Sequence, residues 1–96
     1  VKLTVGEPDF PTPEHIKAAG IRAIEDDATK YVANAGLPDL REAIAGKYSA
    51  RWNREIGVDI VMVTFGAMGA LTLSRDTTVS PGQEVSIADP CFPNYL

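Results

Sequence analysis

The chain holds one cysteine, Cys91, and one histidine, His15, in 96 residues. A single cysteine excludes an intrachain disulfide and any multi-cysteine metal site. The lone histidine has no partners from which a Ser/His/Asp arrangement can be read. No apolar run approaches the roughly 20 residues of a membrane-spanning helix. No signal-peptide apolar region is present. Positive charge is scarce: nine Lys and Arg stand against 13 Asp and Glu, a net charge of −4. The basic residues, from Lys2 to Arg75, are scattered among acids, so no basic patch for nucleic acid or an anionic membrane can be drawn. Repeats and low-complexity stretches are also missing. So is an initial methionine: the chain opens on Val1 and closes on Pro93-Asn94-Tyr95-Leu96 directly after a strand-like run. Both ends read as cut.

What is there is ordinary globular material, 45% hydrophobic and 23% charged, enough for one small domain at most. Leu3-Thr4-Val5 reads as an extended entry to a turn at Gly6. Three prolines within Gly6–Pro13 then force a loop. A first helix is expected from Pro13, with Thr12 at the N-cap and Glu14 in the first turn. Its apolar stripe is Ile16, Ala19, Ala23, Ile24 and Ala28, interrupted by Gly20, and Glu25-Asp26-Asp27 should fray its end. Residues 30–36 read as an exposed connection. A second helix is expected from about Pro38 to about Asn53, with Leu40, Ile44, Ala45, Tyr48 and Trp52 on one face. Ile60–Phe65 reads as a strand buried on both faces, Gly66–Leu73 as a helix start, Pro81-Gly82 as a turn and Glu84–Ala88 as a second strand. Strand, helix, turn and strand make one βαβ unit, so the expected class is α/β.

Two positions carry candidate chemistry. At Thr64-Phe65-Gly66-Ala67-Met68 a strand runs into a helix through glycine, and the free amides of a helix start favour an anion, typically phosphate. The motif is neither GxGxxG nor a P-loop, and a plain tight turn is the commoner meaning of Gly-Ala after a strand. Asp89–Tyr95 leaves the second expected strand at its carboxyl end, the edge where open parallel sheets carry ligands. That puts Phe92 beside the Gly66 turn, as a stacking ring or as an ordinary core residue. Glu7 and Asp9 suit turn chemistry as well as catalysis. Cys91 reads as a small packing residue, and His15 as solvated.

In sum these residues resemble the class I, aspartate aminotransferase-like enzymes of pyridoxal-phosphate fold type I. The likeness rests on five blocks in order: Leu3–Pro13; Lys30-Tyr31 with Ala35–Ala45; Val63–Met68; Pro81–Val85; and Asp89–Tyr95. It implies a division at 53/54: residues 1–53 as the N-terminal loop and two helices of the small domain and dimer interface, 54–96 as the first βαβ unit of the large cofactor-binding domain. It implies that the amides at Gly66, Ala67 and Met68 hold the phosphate of pyridoxal 5'-phosphate and that Phe92 stacks on the pyridine ring. Tyr31 is implied to reach the cofactor phosphate of the neighbour in a homodimer, and Gly6 to lie against the substrate carboxylate. The implied enzyme is cytoplasmic and moves an amino group between an amino acid and a 2-oxo acid.

The departures are as informative. The family's Schiff-base lysine, its pyridine-nitrogen aspartate and its carboxylate-gripping arginine lie beyond Leu96, and Lys2, Lys17, Lys30 and Lys47 sit in no matching motif. The chain is therefore expected to be an N-terminal fragment with no catalytic residue, inactive alone. Leu73–Thr78 is polar where the family helix continues apolar, Gly69 weakens that helix, and the loop before Ile60 looks shortened. Phe92 and Met68 lean slightly away from a dedicated aspartate enzyme. The alternatives are a lyase on the same fold with the same cofactor, and a non-enzymatic truncated product.

Overall fold

A computed structural model describes residues 6–95; Val1–Val5, including the expected extended entry, and Leu96 lie outside the described residues. Among the described residues there are three α-helices: α1 (Glu14–Glu25), α2 (Pro38–Trp52) and α3 (Gly66–Thr78). Short 3-10 turns lie at Val58–Ile60 and Pro93–Tyr95. The chain divides into two compact units, the first ending at Val32 and the second beginning at Ala33.

In the first unit, α1 begins one residue later than expected. Pro13 itself is the N-cap, and no side chain caps the helix, so Thr12 does not hold that role. The Pro13 carbonyl instead accepts from the amides of Ile16 and Lys17. Lys17 reaches Glu14 at 2.7 Å, an exposed pair worth little. The acidic end does not simply fray. Asp27 adopts a left-handed φ of 57°, its amide donates to Ile24 O, and the Ala28 amide donates to Ala23 O. That is a Schellman ending with aspartate where glycine is usual. The expected apolar stripe is exposed along its length, and no residue of α1 is buried.

In the second unit, α2 has the expected span, with Pro38 in its first turn and Asn53 left-handed (φ 47°) at its end. Its inner face is narrower than the pattern predicts. Ala45 is 4% exposed, Ile44 and Tyr48 are half-buried, and Leu40 and Trp52 are exposed. Tyr48 and Trp52, one turn apart, hold their rings 4.8 Å apart. α2 also grips the segment that follows it. Ser49 Oγ accepts from the Ile56 amide at 2.8 Å, and Arg41 donates to Val58 O at 2.6 Å and to Val61 O at 2.7 Å. The Val63 amide donates to Ala35 O at 2.9 Å, beside Gly36 (φ 101°).

No strand occurs among the described residues. Ile60–Phe65, expected as a strand, begins inside a 3-10 turn and continues without a strand ladder; Ile60, Met62 and Phe65 are exposed. Glu84–Ala88 is likewise irregular. A βαβ unit is therefore not formed here. The reason is cooperative: a β-ladder needs a neighbour for its amides and carbonyls, and a two-faced apolar strand needs a layer on each face. Neither lies among the described residues. The turn at 80–83 does form, with Gly82 at φ 88°, the Gln83 amide donating to Ser80 O and the Ser80 amide to Gln83 Oε1. Pro81 and Gly82 fill the two central positions that a type II turn assigns them. α3 continues past Leu73 to Thr78 despite its polar end. The hydroxyls of Thr77 and Thr78 donate back to carbonyls of Leu73 and Ser74, so they satisfy themselves without tertiary partners.

Candidate functional site

The start of α3 has a defined architecture. Phe65 sits at φ −78°, ψ 74°, and the Gly66 amide donates to Thr64 O at 2.9 Å. That is an inverse γ-turn. Thr64 Oγ1 donates to Gly66 O at 2.9 Å and braces it. Gly66 has φ 81°, a left-handed value at which a side chain is strained. The turn thus commits the Gly66 amide to Thr64. The amides of Ala67 and Met68 have no backbone acceptor, and no side chain caps the helix. Ala67 and Met68 are exposed, whereas Gly69 is buried, its α-carbon close to the Phe65 ring and Thr64. The helix behind them is 13 residues long, so dipole and open amides together favour an anion at Ala67 and Met68.

Two glycine substitutions separate the roles. Nothing lies within 4 Å of a Cβ placed on Gly66, so Gly66→Ala is strained only by its φ. The expected cost is about 1–2 kcal/mol. A Cβ on Gly69 meets Phe65 and Thr64 at 3.4 Å, ordinary contact, so Gly69→Ala should gain up to about 1 kcal/mol of helix propensity. Urea unfolding of the two variants in the longer polypeptide should show these opposite signs.

Beyond the turn, α3 borders a cavity of about 570 Å³. Met68, Leu71 and Arg75 line one side, and Val85, Ile87, Cys91 and Tyr95 the other. The structure thereby brings the Met68 end of the turn together with the 85–95 segment. Phe92 does not line the cavity. It is 54% exposed and stands edge-on to Tyr95, with ring centroids 5.5 Å apart. Arg75 has its guanidinium on Asp76 at 2.9 Å. Tyr31 and Gly6 belong to the first unit. Tyr31 is fully exposed and, with Thr29 and Lys30, lines a shallow pocket; Gly6 is exposed, with nothing within 4 Å of a Cβ placed on it. Among the described residues no three His, Cys, Asp or Glu side chains gather as a metal site, and no helix is long and apolar enough to cross a membrane.

Sequence reasoning gave Arg41 no role beyond its place in a motif. Its signal was slight: a basic residue next to the apolar face of α2.

Comparison with known proteins supplies the family. The model of aminotransferase classes I and II matches residues 1–96. The chain is 43% identical over its whole length to a Methanocaldococcus jannaschii protein named "Probable aspartate aminotransferase", of which it covers 26%. It is 41% identical, over 99% of its length, to an aspartate aminotransferase of Pyrococcus horikoshii, covering 24% of that protein. It is also 41% identical, again over 99% of its length, to the aspartate/prephenate aminotransferase of Thermus thermophilus, covering 25%. The chain thus spans about a quarter of the length of the curated relatives it matches. No solved structure matches it. With the family model matched along all 96 residues, the chain belongs to the class I and II aminotransferases.

Proposed function

We propose that this chain is the N-terminal portion of a pyridoxal-phosphate-dependent aminotransferase. The observation that carries the reading is the end-to-end family match, which includes the turn whose open amides suit a phosphate. Ala67 and Met68 fit the cofactor's phosphate, held at the positive end of α3. Phe92, an exposed ring at the 91–95 segment, is the stacking candidate. Bound pyridoxal phosphate supplies the electron sink for bond breaking at the substrate α-carbon. The residues here hold and orient it: amides fix the phosphate, and the ring limits tilting. Gly6 is proposed to lie against the substrate carboxylate and Tyr31 to reach the cofactor phosphate across a homodimer interface.

In the complete enzyme we propose that 60–65 and 84–88 pair into the large domain's parallel sheet, giving the βαβ unit of an α/β fold. The family boundary at 53/54 is kept as the division between small and large domains. The 32/33 division is one of compactness within this chain, where α2 is bonded to the segment 56–61. The enzyme is proposed to be a cytoplasmic homodimer acting on an amino acid and a 2-oxo acid. Relatives named for aspartate favour aspartate as donor, against the slight lean of Phe92 and Met68.

The test is an assay of the polypeptide that carries this segment, supplied with pyridoxal phosphate, aspartate and 2-oxoglutarate. Formation of glutamate in step with oxaloacetate is the expected result. Loss of aspartate with release of ammonia, and with 2-oxoglutarate untouched, would instead identify a lyase.

A further inference from the structure

The turn that opens α3 follows a segment that α2 holds. Upstream of it, the stretch from Val58 to Thr64 forms no ladder, yet its backbone is anchored at three points. Arg41 Nη2 donates to Val58 O at 2.6 Å, Arg41 Nε donates to Val61 O at 2.7 Å, and the Val63 amide donates to Ala35 O at 2.9 Å. Two of the three anchors are therefore one guanidinium. These are charge-assisted bonds from a planar fork whose donors have a fixed separation. Arg41 is half-buried on α2, and the same bonds span 17 and 20 residues of sequence. From Val61 to the γ-turn at Phe65 there are only three intervening residues, and the Val63 bond holds the middle one. The Arg41 bonds and the Val63 bond together therefore fix the approach to Thr64, whose carbonyl and hydroxyl make the turn.

We infer that Arg41 is a positioning residue for anion binding. By clamping the carbonyls of Val58 and Val61 it sets where Thr64–Gly66 stands, and so where the Ala67 and Met68 amides point. Arg41 itself touches no ligand in this scheme. The inference rests on the proposed role of those amides in holding the cofactor phosphate. Arginine is needed because two nitrogens of its fork meet two carbonyls at once; a lysine ammonium gathers its three donors on one nitrogen at the end of a flexible stem and does not reproduce that geometry.

The experiment uses the full-length enzyme that carries this segment, its Arg41→Lys and Arg41→Ala variants, and two probes, pyridoxal 5'-phosphate and pyridoxal. Fluorescence titration yields a dissociation constant for each, and their ratio isolates the phosphate's contribution. In the parent enzyme the phosphorylated form binds far more tightly. In Arg41→Lys that preference falls about tenfold, because misdirected amides lose charge-assisted bonds while the ring contacts persist. Arg41→Ala falls at least as far. A general loss of structure would weaken both probes together and leave the ratio unchanged, and an unchanged ratio in Arg41→Lys overturns the inference. Should Arg41→Ala fail to fold, Arg41→Lys, which keeps the charge and the stem, decides the matter. If the parent enzyme binds the two probes equally, it is the phosphate role of the turn that fails, an outcome separable from failure of the Arg41 clamp.

Discussion

Gly36→Ala is expected to destabilise the second unit by about 2–5 kcal/mol, read as a lower urea midpoint at unchanged slope. Two independent terms add. Gly36 holds φ 101°, a left-handed conformation that costs a side-chain-bearing residue about 1–2 kcal/mol. A Cβ built there would also stand 2.7 Å from Val63 Cβ and 2.8 Å from Val63 Cγ2. Relief of such overpacking costs about 1–3 kcal/mol in backbone and rotamer shifts. Val63 has little freedom to retreat, since its amide is bonded to Ala35 O. The two terms can be separated with a second substitution. Val63→Gly removes the opposing atoms, so Gly36→Ala on that background should cost only the φ term. The resulting coupling of roughly 1–3 kcal/mol is the size expected for residues in direct contact. Additive costs would show that the approach of Gly36 to Val63 is not what demands glycine.

The second large effect is on activity. The 96-residue chain alone is expected to transfer no amino group above the uncatalysed rate, a loss on the order of 10⁶-fold or more relative to a complete enzyme. Two observations support this. None of the described lysines lines the cavity beside α3, and Lys17, on α1, is paired with Glu14. An aminotransferase needs a lysine placed for covalent capture of the cofactor aldehyde and for moving the proton. The described residues also bury one apolar side chain, Ala45, while Ile16, Leu40, Trp52, Met62, Phe65 and Phe92 stay exposed. Without a core, no lysine is held rigidly enough to act as a catalyst. The check is incubation with pyridoxal phosphate, borohydride reduction and peptide mapping. Diffuse modification of Lys2, Lys17, Lys30 and Lys47 is the expected pattern. Stoichiometric labelling of one of them, with turnover of aspartate, would contradict it.

Some of the molecule was legible before any coordinates. The spans of α2 and the start of α3 follow from local signals, because Pro38 fixes its own φ and Asn53 tolerates the left-handed ending. Gly66 was legible for the same reason: only glycine adopts its φ of 81° without strain. Which amides remain open at that turn was not legible. The sequence marks Gly66, Ala67 and Met68 alike, and only the γ-turn shows that the Gly66 amide donates to Thr64 O. The strands expected from the same kind of pattern do not form among the described residues. An apolar run such as Ile60–Phe65 states a preference for burial, but a strand is made by its neighbours, and none lies among the described residues.

What the sequence by itself determined, then, is the family and its helices and turns, since motif order and backbone preference are properties of adjacent residues. Tertiary structure alone decided the bonds from Arg41 to Val58 and Val61, the approach of Val63 to Gly36, and the meeting of Met68 with Tyr95 around one cavity. Each joins residues 17 or more positions apart. Contacts over such distances exist only once the chain has closed the intervening loop, a cost in entropy that no local pattern reports.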